Sequence, residues 1–190
     1  MENKMGKVYI TGAGCGEADL ITLRGMRALM GCDTLVYDSL IARELLNLAP
    51  DTAEKIYVGK RGGHHSMSQE EINELLCAKA LAGRTVVRLK GGDPYVFGRG
   101  SEEILALRAY GIPYEEIPGI SSAIGIPAAA GIPVTHRGIS RSLHVITAHT
   151  ADSADGLPER LEALAKLDGT LVFLMGLSQL ALLAQRLMSG

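Results

Sequence analysis

Two α/β domains built from parallel βαβ units are the fold that this sequence predicts. Three observations carry the expectation. Short β-branched and aliphatic runs alternate with helical patterns of about three turns. Glycine-rich loops follow several apolar runs and precede helix starts, as at strand-to-helix crossings of open sheets. The texture changes after Ile117, where Pro118-Gly119 opens a linker-like stretch. That change sets the expected domains at 1–118 and 119–190.

The elements follow in order. Residues 7–10 (KVYI) read as a first strand, and Gly12-Ala13-Gly14-Cys15-Gly16 as a tight loop after it. A helix is expected over 22–30, with Thr22 as N-cap and Gly31 at its end. Residues 34–37 (TLVY) form a second strand, 42–48 a short helix and 55–58 (KIYV) a third strand. Ser68 and Glu71 stand three apart as a capping box, and Ile72, Leu75 and Leu76 follow at helical spacing up to Gly83. Residues 85–89 (TVVRL) read as a buried strand, 101–110 as a helix closed by Gly111, and 112–117 as the last strand of the first domain. A helix over 121–130 leads to two further strands, 143–147 and 170–175. Helices over 158–167 and 179–188 follow these strands.

Composition narrows the function. The chain has 190 residues, 47% of them hydrophobic, so it can bury a normal core. Its net charge of −2 gives no general attraction to nucleic acid or to an anionic membrane surface. No apolar stretch precedes the first strand, and the most apolar region, 171–188, is interrupted by Gly176, Gln179, Gln185 and Arg186. Cys15, Cys32 and Cys77 form no C-x-x-C pair, which indicates neither a disulfide framework nor a zinc site and suits a reducing cytoplasm. No metal is expected: His64 and His65 are adjacent and point apart in extended chain, and His144 and His149 have no acidic or thiol partner in the pattern.

The loop from Lys90 to Gly100 (KGGDPYVFGRG) is the strongest functional signal. Two adjacent glycines let backbone approach a bound molecule with no Cβ between. The first loop invites a dinucleotide reading, since Gly12 and Gly14 fit the first and third positions of that fingerprint and Asp38 lies at the distance of a ribose-binding acid. The sixth position, however, is Glu17, whose carboxylate would repel a pyrophosphate at a helix N-terminus. A tight strand–helix turn explains the same residues. Asp38 and Lys60 each follow a strand and are expected on one rim, where they could act as base and acid or simply cap and pair. Lys60, Arg61, Lys90, Arg99, Arg137 and Arg141, with His136, would gather positive charge on one face; a scattered solvated set is the alternative.

Taken together, the motifs resemble the tetrapyrrole methylases. The resemblance runs from Val8 to Met188. It is carried by Gly12-Ala13-Gly14-x-Gly16, Val36-Tyr37-Asp38, Val58-Gly59-Lys60-Arg61, the Arg88 to Gly100 run, Pro118-Gly119-Ile120-Ser121-Ser122-Ala123, Gly131 to Arg137 and Phe173 to Leu177. It implies two α/β domains with a ligand cleft between them, the second domain stopping short of the family's C-terminal strands. It also implies S-adenosylmethionine as methyl donor, a homodimer, and methylation of two pyrrole carbons of uroporphyrinogen III to give precorrin-2.

By motif, the donor contacts implied are Cys15, Gly91, Gly92, Asp93, Val96, Ser121, Ser122 and Met175. Asp38 and Lys60 would be base and acid, and Arg61, Arg99, His136 and Arg137 would meet the substrate's carboxylates. Cys15 and Glu17 stand where the family has Pro and Asp. Other readings remain: a methylase of the same fold acting on another substrate, a non-catalytic fragment, and an NAD-dependent oxidoreductase.

Overall fold

The computed structural model describes residues 5–59, 67–149, 157 and 161–189. The chain divides into two compact units, Met1–Gly125 and Ile126–Gly190.

The first unit holds a five-stranded, wholly parallel sheet with the order β3-β2-β4-β1-β5. Its strands are β1 (Lys7–Gly12), β2 (Thr34–Tyr37), β3 (Glu54–Tyr57), β4 (Thr85–Lys90) and β5 (Tyr114–Ile117). Three helices connect them: α1 (Leu23–Met30), α2 (Gln69–Leu81) and α3 (Gly100–Ala109). The expected short helix after β2 is a 3-10 turn, Arg43–Leu48. Local chemistry sets the helix starts. Thr22 Oγ1 accepts from the Gly25 N–H at 3.1 Å. Ser68 and Glu71 complete the capping box, with Ser68 N donating to Glu71 Oε2 at 2.6 Å and Glu71 N to Ser68 Oγ at 3.2 Å.

Strand alternation divides the core between the two faces of the sheet. Val8, Ile10, Val36 and Val86 pack with Ile72, Leu76 and Ala80 of α2 and with Ile104 and Leu107 of α3. Leu35, Val87 and Leu89 pack with Leu29 of α1 and with Leu45 and Ala49. Each buried aliphatic side chain contributes about 1.5–3 kcal/mol, so the sheet is held from both sides. The chain leaves β1 in one direction across the sheet and leaves the neighbouring β4 in the other. The topological switch point therefore lies between the carboxyl ends of β1 and β4.

Helix α4 (Ser122–Ala129) runs across the division between the units and carries Pro127. The second unit has a two-stranded parallel sheet, β6 (Leu143–Thr147) with β7 (Thr170–Leu174), and helices α5 (Leu161–Leu164) and α6 (Leu180–Met188). Ala148, Leu157, Leu161 and Leu183 are its buried core. Of the helix expected over 158–167, Leu161–Leu164 is helical and 165–167 are turn and bend, while 158–160 lie outside the described residues. No helix among the described residues is long and apolar enough to cross a membrane.

Candidate active site

At the switch point the loops after β1 and β4 are joined by their backbones. Gly92 N donates to Gly14 O at 2.7 Å, Gly14 N to Gly92 O at 3.2 Å, and Ala13 N to Lys90 O at 2.8 Å. The loop after β5 is drawn into the same knot. A Cβ on Gly12 would lie 2.5 Å from Gly119 N and 2.7 Å from Gly92 O, and a Cβ on Gly119 would overlap Gly92 O. Asp93 clamps the assembly, since its Oδ1 accepts from Tyr95 N at 2.8 Å and its Oδ2 from Gly119 N at 3.1 Å.

The two loop glycines have different reasons. A Cβ on Gly91 would meet Leu40 O at 2.5 Å, so Gly91 is bare because another loop of the protein lies against it. Gly92 has φ +67°, which favours glycine, and the nearest atoms to a Cβ there would be Ser121 Cα and Ser122 N at 3.8 Å. The open, side-chain-free approach is therefore at Gly92. Ser121 Oγ accepts from Ala123 N at 3.3 Å, and Ser122 begins α4. Cys15 is buried against the backbone of Gly125. Val96 is half-buried and donates its N–H to Asp93 O at 3.3 Å. Phe97 (φ 53°) and Arg99 (φ 58°) take the left-handed conformation in this loop, local strain of the kind concentrated at ligand sites.

Asp38 follows β2 on the same edge of the sheet. Its Oδ1 accepts from Leu40 N at 3.0 Å and its Oδ2 from Arg88 Nη2 at 3.2 Å. It lines a cavity of about 500 Å³ with Tyr37, Ser39, Ile41, Arg43, Leu46 and Tyr57. Tyr37 and Tyr57 meet edge to face there, with ring centroids 5.5 Å apart. Its expected acid partner Lys60 lies outside the described residues, as do Arg61, His64 and His65.

Behind Asp38 is a buried charge cluster that sequence reasoning missed. Alternation places Val86, Arg88 and Lys90 on the face that carries α2 and α3. Glu103 of α3, fully buried, answers both cations through Oε1: Arg88 Nε at 3.1 Å and Lys90 Nζ at 2.8 Å. Gln69 Nε2 adds a longer contact at 3.4 Å. Burial, then the neighbouring Arg88 charge, holds the Lys90 ammonium pKa below its usual value, against the opposing pull of Glu103. This corrects the expectation that Lys90 adds to a cationic rim: it is 5% exposed and turned inward. The signal was present in the sequence, because two cations at same-face positions of an apolar strand require a buried acid. Arg99 is on the surface, forked onto Glu102 at 2.7 and 2.8 Å.

The remaining expected residues belong to the second unit. Exposed His136 and Arg137 lie in a tight turn in which His136 and Ser140 exchange backbone hydrogen bonds. His136 Nδ1 stands 2.9 Å from the Arg137 carbonyl. Met175 follows β7 with φ 61° and lines a hollow of about 480 Å³ with Phe173, Leu174 and Leu177.

The sequence profile described as Tetrapyrrole (Corrin/Porphyrin) Methylases matches residues 7–190. The chain is 54% identical over 186 residues to a uroporphyrinogen-III C-methyltransferase of Methanocaldococcus jannaschii, covering 97% of this chain and 76% of that protein. It is 48% identical to a sirohaem synthase of Tolumonas auensis, of which it spans 39%. Among solved structures, the uroporphyrin III C-methyltransferase of Thermus thermophilus complexed with S-adenosylhomocysteine superposes with a TM-score of 0.79 at 41% identity, covering 97% of this chain and 76% of that one.

Proposed function

From the premise that the chain belongs to the tetrapyrrole methylases, we propose that it is an S-adenosylmethionine-dependent methyltransferase that converts uroporphyrinogen III to precorrin-2. The observation that carries this reading is the 54% identity to a uroporphyrinogen-III C-methyltransferase along 97% of the chain. The switch-point crevice at Gly92 supplies the structural counterpart. Among the described residues, the nearest atoms to a Cβ at Gly92 are Ser121 Cα and Ser122 N at 3.8 Å, which suits a ligand approached by backbone groups.

When bound, the donor supplies a methyl group already activated on a sulfonium. The chain's own residues orient, exclude water and move a proton. We assign the donor to Cys15, Gly91, Gly92, Asp93, Val96, Ser121 and Ser122; Met175 of the second unit joins them by motif alone. Asp93 also fastens the backbone there, each of its oxygens accepting one N–H group. A pyrrole carbon is an enamine-like nucleophile, so alignment does much of the work, up to about 7–11 kcal/mol in favourable cases. Asp38 takes the ring proton released after transfer, and Lys60 is the companion acid. Arg61, Arg99, His136 and Arg137 bind the carboxylates of the tetrapyrrole. We also read the enzyme as a cytoplasmic homodimer; the buried free thiols Cys15, Cys32 and Cys77 support a reducing compartment.

The test is incubation with uroporphyrinogen III and donor, followed by mass spectrometry. Two added methyl groups are expected. Unmodified substrate, together with no calorimetric binding of S-adenosylhomocysteine, overturns the reading.

A further inference from the structure

We infer that Arg88, fixed by Glu103, is the positioning residue that aims the Asp38 carboxylate for its proton transfer. The inference rests on the assignment of Asp38 made above.

The guanidinium is held on three sides. Nε donates to Glu103 Oε1 at 3.1 Å, Nη1 to Leu89 O at 3.0 Å and Nη2 to Asp38 Oδ2 at 3.2 Å. The Arg88 side chain is 4% exposed and that of Glu103 is fully buried, whereas that of Asp38 is 21% exposed. Exposure therefore rises along the chain Glu103–Arg88–Asp38, from a fixed interior anchor to a group that can meet substrate. Asp38 comes after the last residue of β2, where the ladder no longer holds the backbone. Among the described residues, the carboxylate without Arg88 would keep only the short-range bond from Leu40 N. With Arg88, each oxygen has one anchor, which sets both side-chain torsions and leaves lone pairs on each oxygen for a substrate proton. A base must come within about 2.6–3.2 Å of the proton's carrier atom, so a freely rotating carboxylate would spend much of its time out of reach.

One further contact and the shape of the guanidinium point to positioning rather than simple stabilisation. Glu103 is neutralised independently by Lys90 at 2.8 Å, so its charge does not require Arg88. A guanidinium can donate to Glu103, Leu89 O and Asp38 at once, while an ammonium at the end of a Lys chain cannot span them.

The experiment uses Arg88→Met, Arg88→Lys, Asp38→Ala and the Asp38→Ala/Arg88→Met double variant in the full chain. Folding is checked by thermal melting and donor-site integrity by S-adenosylhomocysteine calorimetry. For Arg88→Met, kcat is expected to fall by about 100-fold, the cost of a misaligned catalytic group. KM for the tetrapyrrole and Kd for S-adenosylhomocysteine should stay within about threefold. Arg88→Lys should regain less than a tenth of the lost turnover. In the Asp38→Ala background, Arg88→Met should cost nothing further, because a residue acting through Asp38 is silent once Asp38 is gone.

Wild-type turnover in Arg88→Met, with a strongly reduced but measurable turnover in Asp38→Ala, sinks this inference alone. Equal losses of kcat from Arg88→Met in both backgrounds do the same. Unchanged turnover in Asp38→Ala sinks the assignment of the base itself, and the inference with it. Should Arg88→Met fail to fold, Arg88→Lys carries the test: wild-type kcat overturns the proposal, and a fall of tenfold or more at unchanged KM, absent in the Asp38→Ala background, supports it.

Discussion

Gly14 and Gly92 exchange backbone hydrogen bonds in both directions, at 2.7 and 3.2 Å, and so weld the loop after β1 to the loop after β4. Both have positive φ, 77° and 67°. The weld lies where the chain departs to opposite sides of the sheet, the place at which an open α/β sheet parts to admit a ligand. Its rigidity gives the crevice a preformed floor.

Gly119→Ala and Gly92→Ala should separate packing from crevice lining. The Gly119 Cβ would strike Gly92 O and stand 2.8 Å from Gly12 Cα, all backbone, so a loss of about 1–3 kcal/mol is expected by urea unfolding. Gly92→Ala meets no close atom and costs about 1–2 kcal/mol through its positive φ alone. Its larger effect should be on S-adenosylhomocysteine affinity, read by calorimetry, because the new methyl group enters the crevice.

Glu103→Ala should destabilise by about 3–5 kcal/mol, since it leaves Lys90 buried without its carboxylate and Arg88 with Asp38 as its remaining anion. Adding Lys90→Met should recover at least about 1 kcal/mol of that loss in the same urea assay. A double variant no more stable than Glu103→Ala would show that the Lys90 charge is not what Glu103 neutralises.

Arg99→Ala should leave stability within about 0.5 kcal/mol, because its pair with Glu102 is exposed. If Arg99 grips a substrate carboxylate, KM for uroporphyrinogen III should rise about tenfold at unchanged kcat, the size of one charge-assisted hydrogen bond. Steady-state kinetics on the tetrapyrrole decide it.

Glu116→Gln carries a pH prediction. Burial first, and the Asp93 charge second, raise the Glu116 pKa above its ordinary value of 4.5. The folded state then holds a proton that the unfolded state has released, so the contribution of Glu116 to stability falls as pH rises from 4.5 through the folded value. Glu116→Gln should therefore be more stable than the parent at pH 7, by no more than about 1 kcal/mol given its partial exposure. The advantage should vanish below 4.5. Melting temperatures across pH 3–8 measure it, and an advantage that grows toward acid would reverse the sign.

Much of the first unit was legible because its causes are local. The partners of the Thr22 cap and of the Ser68–Glu71 box are three residues apart, so spacing alone exposes them. The strands appear as β-branched runs because both faces of the sheet are covered. The glycines of the KGGDP loop were visible, yet their separate reasons were not. Leu40 stands against Gly91, whereas a Cβ on Gly92 would come no nearer than 3.8 Å to Ser121 and Ser122, which only the folded neighbours reveal. Lys90 resembled a rim cation because its position after an apolar run is also where loop cations occur.

The sequence by itself determined the order of strands and helices, the helix caps, the family signature and the placing of Asp38 at a strand end. Tertiary structure decided which charges meet: Asp38 with Arg88, 50 positions away, Arg88 and Lys90 with Glu103, and Asp93 with the Gly119 amide. The physical reason is the strand order. Packing of crossover helices inserts β4 between β2 and β1, and this non-local arrangement brings the carboxyl ends of β2, β4, β1 and β5 to one edge.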